Sequence, residues 1–190
     1  MKKIDTKKLV IGAALTALVI ILQFMGAFIR FGMFQVSLVL VPIVIGAAVG
    51  GVGLGAWLGF VFGMVVLLNG DAAAFLSIDV FGTIVTVLLK GTLSGLLAGV
   101  TYKALEDKNK YLAVITAAIV CPIVNTGVFL LGCFIFFMDT IKEWAGRGDL
   151  VMFFITGLGL INFVFELLFN IVLSPAVIRL LNIKEIKKAK

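Results

Sequence analysis

The chain has 190 residues, of which 62% are hydrophobic and only 14% are charged. Soluble domains are about half apolar and about a quarter charged, and a globule of this length cannot hide so much apolar surface. These values, with a net charge of +6 and a mean hydropathy of +1.23, exclude a soluble enzyme, a disulfide-stapled secreted domain and a disordered tail. The chain contains no histidine, which excludes Ser-His-Asp or Cys-His catalysis and histidine-ligated metal sites.

Apolar stretches of the length that crosses a bilayer, roughly 17 to 25 residues, follow one another along the chain. No cleavage site follows the first stretch, so we expect it to be retained. The uncharged stretch 36–68 is too long for one helix, and the run Gly50–Gly53 divides it. The fifth stretch contains Pro122 as an expected kink. The sequence predicts one all-α membrane domain, residues 1–190, with six transmembrane helices at 9–27, 36–49, 54–68, 80–102, 111–138 and 151–181.

Lysine and arginine are distributed unevenly between the two faces of this topology. The termini and the connections after the second and fourth spans share one face. Because basic loops stay in the cytoplasm, we expect a multi-pass cell-membrane protein with both termini cytoplasmic, and a topology signal rather than a nucleic-acid surface. That face collects twelve of the 16 basic residues, namely Lys2, Lys3, Lys7, Lys8, Lys103, Lys108, Lys110, Arg179, Lys184, Lys187, Lys188 and Lys190.

Ionisable and amide side chains lie near the middle of three predicted spans. Lys90 lies in the fourth, Asn125 in the fifth and Glu166 in the sixth. Asn162, Glu166 and Asn170 recur every four residues, so they share one face of a helix. An ionisable group at mid-bilayer is costly and points to function. A cation, an anion and amides at similar depth therefore predict a polar binding pocket.

Two other interpretations of Lys90 and Glu166 stay open. They could form a buried structural pair, with the asparagines bridging helices, or they could serve a proton or ion relay. A membrane-embedded enzyme is disfavoured because the sequence shows no metal-ligand cluster and no nucleophile with a base, so we expect no enzyme, no metal and no cofactor. No G-x-x-x-x-G-K-[ST] phosphate loop occurs, so ATP-driven work would need another subunit.

Small residues recur at four-residue spacing in three spans, as in helices that approach one another closely. For the glycines this spacing predicts packing within the chain. Ala13 and Ala17 of the first span could instead offer a flat surface to a partner protein. The two glycine sets are Gly55, Gly59 and Gly63, and Gly91, Gly95 and Gly99.

Several motifs in their order along the chain resemble one family. They are Ala13-x-x-x-Ala17, the run Val39–Ala48, the run Gly55–Gly63, Leu89-Lys90-Gly91 with the Gly-Leu-Leu-Ala-Gly run at 95–99, and Asn125-Thr126-Gly127. In these features the sequence is similar to the substrate-binding S components of the energy-coupling factor (ECF) vitamin transporters of bacteria and archaea.

The resemblance implies a six-helix, riboflavin-transporter-like fold that captures a water-soluble vitamin or precursor for ATP-driven uptake in a prokaryotic plasma membrane. It implies a transmembrane coupling subunit and two cytoplasmic ATPases as partners, with Ala13 and Ala17 docking to the coupling subunit. Pantothenate is narrowly the first candidate ligand and riboflavin the next, and an autonomous ion-coupled carrier is the alternative.

The resemblance also places the ligand site among the outer loops and the last three spans. We expect Lys90, Asn125, Asn162 and Glu166 to contact the ligand, Asn170 to contact it or support the site, and Arg30, Phe31 and Asn69 of the outer loops to cap it.

Overall fold

The computed structural model describes residues 6–26, 30–31, 34–35, 38–146, 148–150, 152–153 and 160–183, and this part is helical apart from one short hairpin. In the hairpin, two two-residue strands pair antiparallel with Arg30 opposite Gln35. The elements in chain order are α1 (Thr6–Gly26), β1 (Arg30–Phe31), β2 (Phe34–Gln35), α2 (Leu40–Leu68), α3 (Ala73–Leu76), α4 (Val80–Leu105), α5 (Lys110–Phe136), α6 (Met138–Ala145) and α7 (Leu160–Leu181).

The described part contains five helices that are long and apolar enough to cross a membrane, where the sequence predicts six spans. The difference lies in α2, which covers the second and third predicted spans as one assigned element. The predicted last span, 151–181, is represented by α7, and residues 154–159 lie outside the described part. The large side chains on the outer surface of α5, such as Leu131, Phe134 and Ile135, are apolar, as expected of a surface that faces lipid.

The chain reverses direction inside α2 at Gly51. Its backbone has φ 77° and ψ −169°, a conformation that glycine adopts at no steric cost. A methyl group added at Gly55 would lie 2.9 Å from the Cβ of Ala47, and one added at Gly46 would overlap Leu58. In a straight helix these pairs would be about 12 and 18 Å apart. Two arms, 40–50 and 52–68, therefore pack against each other, and the first is only about 16 Å long, half a bilayer.

Two rows of glycine join the long arm of α2 to α4. A methyl group added at Gly55 would lie 2.5 Å from the carbonyl oxygen of Gly95, and one at Gly63 would lie 2.9 Å from that of Val87. Between these two contacts, a methyl group added at Gly59 would overlap the carbonyl oxygen of Gly91. The predicted packing of the glycines within the chain is confirmed. We call this contact the glycine seam, and it holds α4 at a fixed height beside α2.

The helix α5 starts where its sequence provides an N-terminal cap. The side-chain oxygen of Asn109 accepts hydrogen bonds from the backbone N–H groups of Tyr111 (2.9 Å) and Leu112 (3.2 Å), which would otherwise lack partners at a helix start. The helix ends at Phe136, and the short helix α6 follows after Phe137. The start of α5 lies beside the ends of α4 and α7, and we call this the lysine-rich end of the bundle. The opposite end carries α3 and α6.

Candidate functional site

Lys90 lies in the middle of α4 and points between two aromatic rings. Its Nζ atom is 5.6 Å from the ring centre of Phe62 on α2 and 5.2 Å from that of Phe129 on α5. At these distances the ring faces attract the ammonium group. Lys90 directly precedes Gly91 of the glycine seam, so the seam determines where along the bundle this charge lies.

Two carboxylates lie within electrostatic range of Lys90. Glu166 of α7 is 4% exposed, and it interacts electrostatically with Lys90, as does Asp71 beyond the end of α2. Glu166 also acts on Cys121 of α5, one turn from Asn125. Glu166 of α7 is thus within electrostatic range of both Lys90 on α4 and Cys121 on α5; that these helices line one binding pocket around Asn125 stays a prediction.

Five buried side-chain atoms in this region have no hydrogen-bond partner among the described residues. Buried polar atoms are nearly always paired, and an unpaired one costs about 1 to 3 kcal/mol. Thr86 lies one turn from Lys90, Asn125 one turn from Phe129, and the other two residues lie one turn on either side of Glu166. The five atoms are Thr86 Oγ1, Asn125 Oδ1, Asn162 Oδ1, Asn162 Nδ2 and Asn170 Oδ1.

Asn170 is the least free of these polar residues. Its Nδ2 donates a hydrogen bond to the backbone oxygen of Glu166 at 2.8 Å, and its own backbone oxygen accepts one from Ser174 Oγ at 2.7 Å. Of the side-chain atoms of Asn170, only Oδ1 has no hydrogen-bond partner among the described residues, whereas at Asn162 both Oδ1 and Nδ2 have none. On the polar face of α7, Asn170 is therefore partly bound to its own helix, whereas Asn162 has no hydrogen-bond partner within the part of the chain that the structure describes.

The predicted cap residues are placed differently from one another. Asn69 is bound to its own turn: its Nδ2 donates to Asp71 Oδ2 at 2.5 Å, and its Oδ1 accepts from the backbone N–H of Asp71 at 3.0 Å. Arg30 and Phe31 form β1, and their side chains lie outside the part that the structure describes. Gln23, which the sequence analysis did not single out, is 1% exposed and donates to the same Asp71 oxygen at 2.8 Å. The only indication of Gln23 in the sequence is that it is a lone amide in an apolar span.

An aromatic cluster covers the site at the end that carries α3 and α6. Phe75 of α3 is 5% exposed and meets Phe129, Phe137 and Trp144 edge-on, with ring centres 5.8, 4.9 and 5.6 Å away. Because Phe129 also contacts Lys90, the cluster connects the site to both short helices. The sequence does not indicate this cluster, since apolar rings in a membrane protein carry no sign of which neighbour they face.

Ala13 and Ala17 lie on the outer side of α1. Both are exposed, whereas the buried side of the helix carries Gly12, Leu15, Val19 and Gln23. Next to this face Trp57 Nε1 donates a hydrogen bond to Thr16 Oγ1 at 3.3 Å. The alanine pair is therefore free of contacts that would close it off within the described chain.

Apolar helices surround a buried polar site, and its five unpaired atoms lie on three of them, α4, α5 and α7. This arrangement is typical of a membrane subunit that binds a small molecule. The family model for the ECF transporter, substrate-specific component, matches residues 7–178. The chain belongs to this family. It is a substrate-specific membrane subunit of an ECF transporter, a class of transport-binding subunit, and the family implies a ligand together with coupling and ATPase subunits. No curated protein and no solved structure matches.

Proposed function

We propose that the chain captures a water-soluble vitamin or vitamin precursor and passes it to partner subunits that hydrolyse ATP. The observation that carries this proposal is the set of five unpaired polar atoms on α4, α5 and α7 around Lys90 and Glu166. A ligand with several hydrogen-bonding groups would satisfy them, and the free energy of pairing these buried atoms would add to its affinity.

The charges of the site favour pantothenate over riboflavin. Lys90 suits a carboxylate, because an ammonium group and a carboxylate form a strong charge-assisted hydrogen bond. Glu166 and the amides of Asn125 and Asn162 suit hydroxyl groups. Pantothenate has one carboxylate and two hydroxyls, whereas riboflavin has hydroxyls and no carboxylate. Asn170 supports Glu166, and Arg30 and Asn69 belong to the outer cap.

For the fold we propose the riboflavin-transporter-like arrangement of six helices in one domain, with each arm of α2 counted as one helix. The contacts between the two arms across Gly51 support this count. We further propose that both termini face the cytoplasm of a prokaryote and that Ala13 and Ala17 dock to the coupling subunit. Their exposure on α1 supports that role.

The first test identifies the ligand directly. The chain is purified gently in detergent, and the small molecules released from it are identified by mass spectrometry. A stoichiometric vitamin or precursor is expected. An empty protein that gains no thermal stability from a panel of vitamins would contradict the proposal. Transport by the purified chain alone in liposomes, driven by an ion gradient without ATP, would instead establish an autonomous carrier.

The second test assigns the charged residues. Lys90→Gln and Glu166→Gln should each weaken ligand binding by about 10- to 100-fold, since a hydrogen bond to a charged group contributes about 1.5 to 3 kcal/mol. Lys103→Gln, an exposed position in the last turn of the same helix α4, is the matched control and should bind normally. If both site variants fold and bind within about twofold of the unaltered chain, Lys90 and Glu166 are a structural pair.

A further inference from the structure

A cleft lies at the lysine-rich end of the bundle, separate from the candidate site. It opens between the end of α4, the start of α5 and the end of α7, and its cavity volume is about 130 Å³. Its floor is apolar and buried, formed by the ring of Tyr102 with Val114 and Ile178. Its rim is exposed and polar, with Lys110 and Asn182.

The helix ends around the cleft indicate that it lies near the depth where a bilayer changes from hydrocarbon to water. Three spanning helices begin or end there, at Leu105, Lys110 and Leu181, and helices of this kind end near the membrane interface. Tyr111, 62% exposed on the same rim, is of a residue type enriched at that interface. Lys110 can extend its ammonium group toward phosphates while its stem stays against apolar surface.

We propose that this cleft binds an anionic phospholipid. The Lys110 ammonium and the Asn182 amide contact the headgroup phosphate, and the first acyl carbons lie on Val114 and Ile178. The inference rests on the proposed orientation, in which this end of the bundle is cytoplasmic; basic pockets between helices on that side of a membrane bind anionic headgroups. The charge around the cleft also favours an anionic ligand, since nearby basic residues outnumber acidic ones: Lys103, Lys108 and Arg179 against Glu106 and Asp107. A free phosphate ion would use the rim and leave the apolar floor uncovered, so the lipid is the occupant that fits both parts.

The wild-type test compares lipids that differ in headgroup charge. Native mass spectrometry counts the phosphatidylglycerol or phosphatidylcholine molecules that the purified chain retains as each lipid is titrated into detergent. We expect one phosphatidylglycerol to bind more tightly than any phosphatidylcholine. Equal retention of the two lipids would overturn the proposal. Displacement of phosphatidylglycerol by glycerol phosphate at equal concentration would show a site for a free anion, and would overturn it as well.

A pair of lysine variants tests the location. Lys110→Gln should weaken phosphatidylglycerol binding about fivefold, the effect of one basic residue near an anionic headgroup. Lys108→Gln makes the same charge change two residues away, outside the lining of the cleft, and should bind as the wild type does. Equal losses in both variants would mean that diffuse surface charge, rather than the cleft, attracts the lipid. No vitamin enters either assay, so this result is independent of the proposed capture function.

Discussion

Replacing Asn162 by leucine should affect stability and ligand binding in opposite directions. Both polar atoms of this side chain are buried without a hydrogen-bond partner in the part of the chain that the structure describes. An unpaired buried polar group costs about 1 to 3 kcal/mol, and leucine removes this amide while keeping the same number of side-chain heavy atoms. The unliganded protein should therefore gain about 1 to 3 kcal/mol. For a protein of this length that gain raises the unfolding temperature by a few degrees.

The ligand should lose affinity in the same variant, because two of its expected hydrogen-bond partners are gone. Saturation at 100 times the dissociation constant stabilises a protein by about 2.7 kcal/mol, and a tenfold loss of affinity removes about 1.4 kcal/mol of this. The assay is thermal unfolding in detergent, with and without a fixed concentration of the vitamin that mass spectrometry identifies. The ligand-induced shift should shrink to about half while the unliganded unfolding temperature rises.

The control for Asn162→Leu is Val164→Leu, a half-exposed position on the outer side of the same helix, which should change neither quantity. A marked fall in the unliganded unfolding temperature of Asn162→Leu would contradict the predicted gain in stability. It would mean that the amide has a structural partner in the folded chain. An unchanged ligand shift would show instead that the ligand does not reach α7 at this depth.

Three further predictions concern the framework of the site. Gly59→Ala should destabilise the bundle by about 1 to 3 kcal/mol in thermal unfolding, because its methyl group would overlap a backbone carbonyl of α4. The control is Gly53→Ala in the same assay, since a methyl group at Gly53 would face open space. Gln23→Leu should cost about 1 to 3 kcal/mol in that assay by removing a donor from Asp71, and an unchanged melting temperature would show the bond to be dispensable. Phe75→Leu should speed ligand dissociation about two- to tenfold in stopped-flow measurements by removing edge-on ring contacts; a rate equal to the wild type would mean that the aromatic cluster does not cover the ligand.

Features with a period along one helix could be predicted from the sequence. Asn162, Glu166 and Asn170 share a face because four residues make about one helical turn, and the glycine rows follow the same rule. The reversal at Gly51 falls within the glycine run that divides the uncharged stretch. What the sequence did not show was the length of the two arms of α2, since no polar residue marks where an apolar helix begins beside an equally apolar neighbour.

Contacts between distant segments could not be predicted in this way. Gln23 and Asp71 are 48 residues apart, and neither position has a local pattern that identifies the other. Phe75 was equally hidden, because lipid and a neighbouring helix are nearly equivalent surroundings for an apolar ring. In a soluble protein its apolarity would have indicated burial, whereas here it indicated only that the residue lies outside water.

Two features of this bundle have different consequences: close backbone packing stabilises the fold, whereas the unpaired polar atoms lower its stability and suit the proposed binding of a ligand. The glycine seam brings the backbones of α2 and α4 together without polar side chains, so close packing fixes the height of Lys90, whose ammonium group lies between Phe62 and Phe129. On α5 and α7, in contrast, Asn125 and Asn162 leave buried atoms unpaired, at a cost in folding free energy. Such a cost is tolerable only where other contacts fix the fold. In the capture function that we propose, a ligand that entered between the rigid pair and these two helices would recover this cost as affinity.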